Sequence, residues 1–290
     1  MTDAADPGAG RATGEAPVIG PGELGLLPEA VVALVAGAGL CLAARNGALA
    51  LLVVLAIVQA VFALAWIYGT SMPGPRGALV VAALAGAGAD VAVSMFPHGR
   101  LGALLIVVGL AVPVMFAHQL IRGAARVQLV ASLSASAVVV LGEAALPSLL
   151  QLRHEFTDPG VAGKVVSAAV AAIAAALVVG CFVDLVAPTP RFDAAVPRGL
   201  LAVVASAGVG AALGYLLLRS VLGFGGGAGA FLGAALGALA GLLAIATAFV
   251  QYTTPNAEGV RGRVRPVLAA VLPICLLAPV AYLLCLAVRS

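Results

Sequence analysis

The sequence predicts an all-α fold, a polytopic integral membrane helix bundle of about nine transmembrane helices. Three observations predict it. Of the 290 residues, 63% are hydrophobic and only 9% charged, with a mean hydropathy of +1.17. A soluble chain carries roughly 25% charged residues, so a water-soluble fold of this size would lack the polar groups to cover its surface. Apolar runs of about 20 residues, the length that crosses hydrocarbon, recur between short polar breaks. The alternating pattern of a membrane barrel is absent, and backbone groups in lipid must be satisfied within their own segment, which leaves helices.

The first segment, residues 1–27, is rich in Gly, Pro and Ala with acids at Asp3, Asp6, Glu15 and Glu23. It holds too little apolar surface to offset the entropy of ordering, and is expected to be a disordered tail. Its acidic start is unlike the basic start of a signal peptide. Residues 28–290 form the transmembrane domain.

The expected spans are 28–44, 47–69, 77–95, 101–120, 127–150, 163–186, 198–219, 227–250 and 266–288. The first is short and ends at Arg45-Asn46, either as a tight hairpin with its neighbour or as a half-inserted helix, in which case the count falls to eight. No loop is long enough to hold a soluble catalytic domain.

Charge sets the orientation and the partners. With nine spans, one side carries Arg11, Arg76, Arg122, Arg126, Arg191, Arg198, Arg261, Arg263 and Arg265; the other carries Arg45, Arg100, Arg153, Lys164, Arg219 and Arg289. The positive-inside rule then predicts a cytoplasmic N-terminus in the cell membrane. The single lysine among fifteen basic residues is a bias of GC-rich bacterial coding. No basic run is dense enough for nucleic acid, which needs clustered phosphate contacts. The bilayer is the expected partner.

The four cysteines, Cys41, Cys181, Cys275 and Cys285, sit inside apolar runs without a Cys-x-x-Cys or Cys/His spacing. They read as small buried hydrophobes, with neither a metal site nor a disulfide framework. No nucleophile elbow, phosphate loop or His-Glu-x-x-His helix occurs. No catalytic residue and no cofactor is expected.

Two acids stand within spans, where charge is costly and often functional. Asp90 lies in the third and Glu143 in the fifth, two helices running in the same direction. At 1.5 Å per residue, both carboxylates fall about 10–12 Å below the same membrane face. They could form a cation or proton site, face a basic group of a substrate, or bond backbone groups. His118 and Asp184, near the opposite face, read as boundary residues. Pro113, Pro147, Pro273 and Pro279 fall inside spans, where proline frees a carbonyl and kinks the helix. Ser132, Ser134 and Ser136 alternate and read as interhelical hydrogen-bond partners.

Gly225, Gly229, Gly233, Gly237 and Gly241 repeat at four-residue spacing and share one helix face; Gly210 and Gly214 form a shorter pair. Faces of this kind let helix backbones approach closely in lipid. The ladder is expected to be a packing seam, within the chain, between copies, or along a pore. In the polar stretch 251–265, Arg261, Arg263 and Arg265 crowd the end and are expected to face anionic headgroups.

The small-residue run Gly208-Val-Gly-Ala-Ala-Leu-Gly-Tyr215 and the final Leu277-Ala-Pro-Val-Ala-Tyr-Leu-Leu284 resemble segments of the phosphatidate cytidylyltransferases, membrane enzymes that make CDP-diacylglycerol. In that family these segments bracket a region with Lys-Arg, Lys-Asp, His-Gly-Gly and Asp-Arg motifs that bind metal and nucleotide phosphates. Here the interval reads Gln251 to Arg265 and then Pro266-Val-Leu-Ala-Ala, without those motifs, so no catalytic residue carries over. The resemblance implies a degenerate lipid-modifying enzyme. The residues themselves point first to a non-enzymatic protein, a small transporter or an accessory subunit that associates through helices with itself or with a membrane partner.

Overall fold

The structure is a computed structural model. It describes residues 25–70, 74–97, 101–121, 129–187, 189–191, 196–253 and 260–289, with the backbone alone for 252–253 and 260–263. The expected disorder of the tail therefore lies outside the described residues, apart from 25–27, where Leu26 already begins a helix and is buried.

Among the described residues there are ten helices: α1 (Leu26–Asn46), α2 (Ala48–Gly69), α3 (Pro75–Met95), α4 (Gly102–Ile121), α5 (Leu129–Ala145), α6 (Ser148–His154), α7 (Pro159–Val186), α8 (Leu200–Leu218), α9 (Gly226–Thr253) and α10 (Val260–Val288). They make nine candidate spans, because α5 and α6 are two parts of one crossing, Leu129–His154. Large apolar side chains such as Leu34, Leu49, Ile57, Leu105, Ile106 and Phe231 stand exposed around the bundle. A soluble monomer rarely shows apolar surface on this scale. This is a multi-pass membrane fold.

The first span is a continuous helix of 21 residues, long enough to cross. Gly47 joins it to α2 in a single residue at φ +133°, a backbone conformation that L side chains rarely adopt. Two helix starts differ from expectation by more than two residues. Helix α7 starts at Pro159, ahead of the expected 163, because Asp158 caps it: Oδ1 accepts from the N–H of Gly160 at 2.7 Å and of Val161 at 3.0 Å. Asp before Pro is a strong helix start. Helix α10 begins at Val260 and carries Pro266 inside it, so the proline taken as its start lies in the second turn.

Helix α7 is the centre of the bundle, packed by α1, α8, α9 and α10. Lipid offers no hydrophobic drive between helices, so close contact depends on small residues. The inner face of α7 is accordingly alanine-rich, with Ala168, Ala169, Ala172 and Ala176 fully buried. Facing it on α1, a Cβ at Gly37 would overlap Ala174. Helices α2, α3, α4 and α5 form a second group beside it, joined to the first by α10.

Candidate functional site

The two acids meet. Helix α3 carries Asp90 and α5 carries Glu143, and the helices pack together with α2 against both. Asp90 is 8% exposed and Glu143 2% exposed. The carboxylates are close enough to interact electrostatically. Gly86, one turn before Asp90, makes room for the partner acid: a Cβ there would lie 2.6 Å from Glu143 Oε2.

Gln59 of α2 completes the site. It is buried beside Asp90, and its Nε2 donates to the main-chain carbonyl of Glu143 at 3.0 Å. The sequence explains why that carbonyl is on offer. In an α-helix it would accept from the N–H four residues on, and that residue is Pro147, which has none. The span breaks there. Helix α5 ends at Ala145, Leu146 and Pro147 turn, and α6 resumes at Ser148.

Charge compensation at this site is incomplete. The ion pairs found among the described residues lie elsewhere, and no described donor reaches Asp90 Oδ1 or Glu143 Oε1. Buried carboxylates without an opposing charge are costly in a low dielectric. Further along the same span, Gln151 is fully buried. Its Nε2 donates to Pro97 O at 2.7 Å, while its Oε1 has no described partner. Asp90's own carbonyl accepts from Ser94 Oγ at 2.7 Å. Polar groups thus continue from the acids toward the membrane face at Pro97.

A second polar centre lies near the opposite face, where the sequence suggested only boundary residues. Asp184 lies at the end of α7 but does not face outward. It is 0% exposed and paired with Arg198, 3.3 Å away. Arg198 also pairs with Glu29 of α1 and lies 3.6 Å from Cys181 Sγ, while the Gly199 N–H donates to Asp184 Oδ1 at 2.7 Å. Burial alone would depress the arginine, but Glu29, Cys181 and Asp184 more than reverse this and hold it above its usual value. It stays charged. The three side chains form a lock between α1, α7 and the start of α8; Arg198 Nε, also buried, has no hydrogen-bond partner among the described residues, so the lock ties the helices together without fully repaying its desolvation. Glu29, near the start of an apolar run, and Arg198, two residues before α8, are the signals that a hydropathy window passes over.

The glycine ladder meets α8. A Cβ at Gly233 would overlap Gly210 O, one at Gly229 would lie 2.5 Å from Gly214 O, and one at Gly237 would overlap Ser206 O. Gly241 faces Val203 and Ser206. Gly225 departs from the expected seam: it precedes α9, and a Cβ there meets nothing within 4 Å. The face is occupied within the chain, not presented to a partner.

The remaining expectations divide. Ser132 accepts from Gln119 Nε2 of α4 at 3.0 Å, an interhelical bond, whereas Ser136 bonds back within α5 and Ser134 is exposed. His118 packs over Gly77 of α3. Cys181, Cys275 and Cys285 are buried and Cys41 half-buried, all as free thiols. The side chains of Arg261 and Arg263 lie outside the described residues. Arg265 is not simply turned to the headgroups: it is half-buried and its Nη2 donates to Gln251 O at 3.2 Å.

Among the described residues no group of three or more His, Cys, Asp and Glu is arranged to hold a metal. No protein-family model, curated protein or solved structure matches the chain.

Proposed function

We propose that this chain is a small carrier of the cell membrane that couples its cycle to a proton or a small monovalent cation at Asp90, Glu143 and Gln59. The observation that carries this reading is the meeting of two buried acids from different helices beside a broken span, with oxygens that no described donor satisfies. Discontinuous helices whose freed backbone groups lie beside an ion are the usual construction of coupling sites in carriers, and intramembrane acids are their usual ligands. Compensation of the pair's charge falls to the ion. The excess of arginine on the N-terminal side supports a cytoplasmic N-terminus, which an alkaline phosphatase fusion after Ser290 reads directly: nine spans predict an active reporter, and an inactive one contradicts them.

The lipid-modifying reading finds less support. It needs a metal-binding acid beside the polar stretch after α9. Glu258 lies outside the described residues, and the carboxylate of Asp184 is engaged by Arg198 and Gly199. The accessory-subunit reading drew on a glycine face open to a partner, and those glycines meet α8.

Proteoliposomes loaded with a pH-sensitive dye test the proposal, with an imposed sodium gradient and the voltage clamped by potassium and valinomycin. Wild-type protein should move protons at least about tenfold faster than Asp90→Asn or Glu143→Gln, a loss of ~1.4 kcal/mol in the transport barrier. A wild-type rate equal to that of protein-free liposomes under this gradient would remove the carrier reading.

A further inference from the structure

A cavity of about 470 Å³ lies between α2, α5, α9 and α10, with neither acid of the pair among its lining residues. This is the size of a small-molecule site. Its chemistry is sharply divided along its length. The deep part is lined by Val138, Leu243, Leu272 and Leu276. Most polar side chains gather at the end where α2 and α9 finish and α10 begins, at Thr70, Gln251 and Arg265, while Thr247 lies one turn further in with its hydroxyl donating to Ala244 O at 3.0 Å.

The depth follows from the helix. Arg265 and Leu276 are eleven positions apart on α10, which at 1.5 Å per residue is about 16 Å along the axis. That matches one leaflet, half of a hydrocarbon core about 30 Å thick. The space is therefore slender, apolar, one leaflet deep, and capped by a guanidinium at headgroup level. Hydrocarbon filling such a space recovers the dispersion contacts that an unfilled one would lose. A soluble polar solute has nothing to bond in its deep part.

We infer that this cavity is a binding site for one anionic phospholipid of the surrounding bilayer, with an acyl chain lying along Leu243, Leu272 and Leu276 and its phosphate at Arg265. Arginine suits the phosphate because its planar donors match phosphate oxygens, two bonds at a time. The orientation of the lipid is the one it already has in the membrane, so entry needs only a sideways step. The site is independent of the ion-coupling proposal. Arg265 and Gln251 also border the small space beside Glu29 and Arg198, so a lipid phosphate here adjoins the lock that holds α1 to α8.

Trp66 is the chain's single tryptophan and lines this cavity, which gives the test its reporter. The protein is placed in phosphatidylcholine nanodiscs containing a small fraction of lipid brominated on its acyl chains, either phosphatidylglycerol or phosphatidylcholine, and quenching of Trp66 is measured. Brominated phosphatidylglycerol should show roughly fivefold local enrichment over brominated phosphatidylcholine, the factor one arginine provides beside anionic lipid. Arg265→Gln should bring the two lipids to the same quenching. Ala246→Phe, which fills the cavity wall, should lower quenching by both, and the smaller Ala246→Val should do so partly, with circular dichroism and gel filtration in detergent confirming that each variant is folded. Equal quenching by the two lipids in the wild type overturns the proposal, as does quenching by neither. Anionic preference unchanged by both Arg265→Gln and Ala246→Phe also overturns it.

Discussion

Gln59 of α2 donates its side-chain N–H to the main-chain carbonyl of Glu143 at 3.0 Å, the oxygen that Pro147 leaves without its helical donor. The bond ties the break in the α5–α6 span to the buried acid beside it. It also makes two residues on different helices interdependent. Gln59→Leu should destabilise the protein by about 1–3 kcal/mol, the cost of a buried acceptor left unsatisfied. Pro147→Ala returns an N–H to that carbonyl, so it should cancel most of this loss when combined with Gln59→Leu. Thermal unfolding in detergent of the two single variants and the double variant measures the coupling, and additive losses would show that the carbonyl is not the link.

The buried lock makes a different prediction. Arg198→Leu leaves Glu29 and Asp184 facing each other unpaired, and breaking a buried pair from one side costs on the order of 3–5 kcal/mol. Replacing all three partners by neutral residues, Glu29→Gln with Asp184→Asn and Arg198→Met, should recover much of that. A triple variant no more stable than Arg198→Leu alone would mean that the arginine acts through packing rather than charge.

The seam between α8 and α9 separates glycines that look alike in sequence. Gly233→Ala places a methyl against the Gly210 backbone, which cannot turn aside as a side chain can, and should cost about 1–3 kcal/mol or more as overpacking. Gly225→Ala should be close to neutral, because open space lies around it. Comparable losses from both, measured as midpoints of thermal unfolding, would contradict the packing described for this pair of helices.

Asp158 carries a pH dependence whose sign follows from its bonds. The N–H groups of Val161 and Gly160 hold its carboxyl below the ordinary carboxylate range. A depressed value means stability that is complete above the unfolded value of about 3.9 and is lost as pH falls through the folded one. Asp158→Asn keeps an N-cap acceptor, so it should flatten that acid limb while leaving neutral stability nearly intact. Asp158→Ala should lower stability across the whole range. A wild-type acid limb that survives in Asp158→Asn would assign it to another group.

Much of this architecture was legible because the bilayer imposes a length on every apolar run, and nine runs of that length became nine spans. An equal depth for Asp90 and Glu143 was readable as an expectation, since rise per residue relates position to depth. Their meeting was not, because hydropathy says nothing of which helices adjoin. Pro147, four residues after an intramembrane acid, with a lone Gln59 in an apolar run, was the available hint of a satisfied carbonyl. Glu29 was hidden by the apolar stretch around it and Asp184 was read only as a boundary residue; the compensating Arg198 at the same face was their signal. The lipid-shaped space beside α10 depends on four helices at once, and no segment of the sequence carries it.

Proton release on cation binding tests the acid pair most directly. Sodium chloride is added to purified protein in weakly buffered detergent, with choline chloride as the control for ionic strength, and the pH of the solution is followed. An exchange site at Asp90 and Glu143 predicts that sodium displaces protons from the wild type and that Asp90→Asn and Glu143→Gln each abolish the release. Sodium-driven release of equal size in the wild type and in the doubly substituted protein, or no release in either together with proton flux that both substitutions leave intact, would contradict the site.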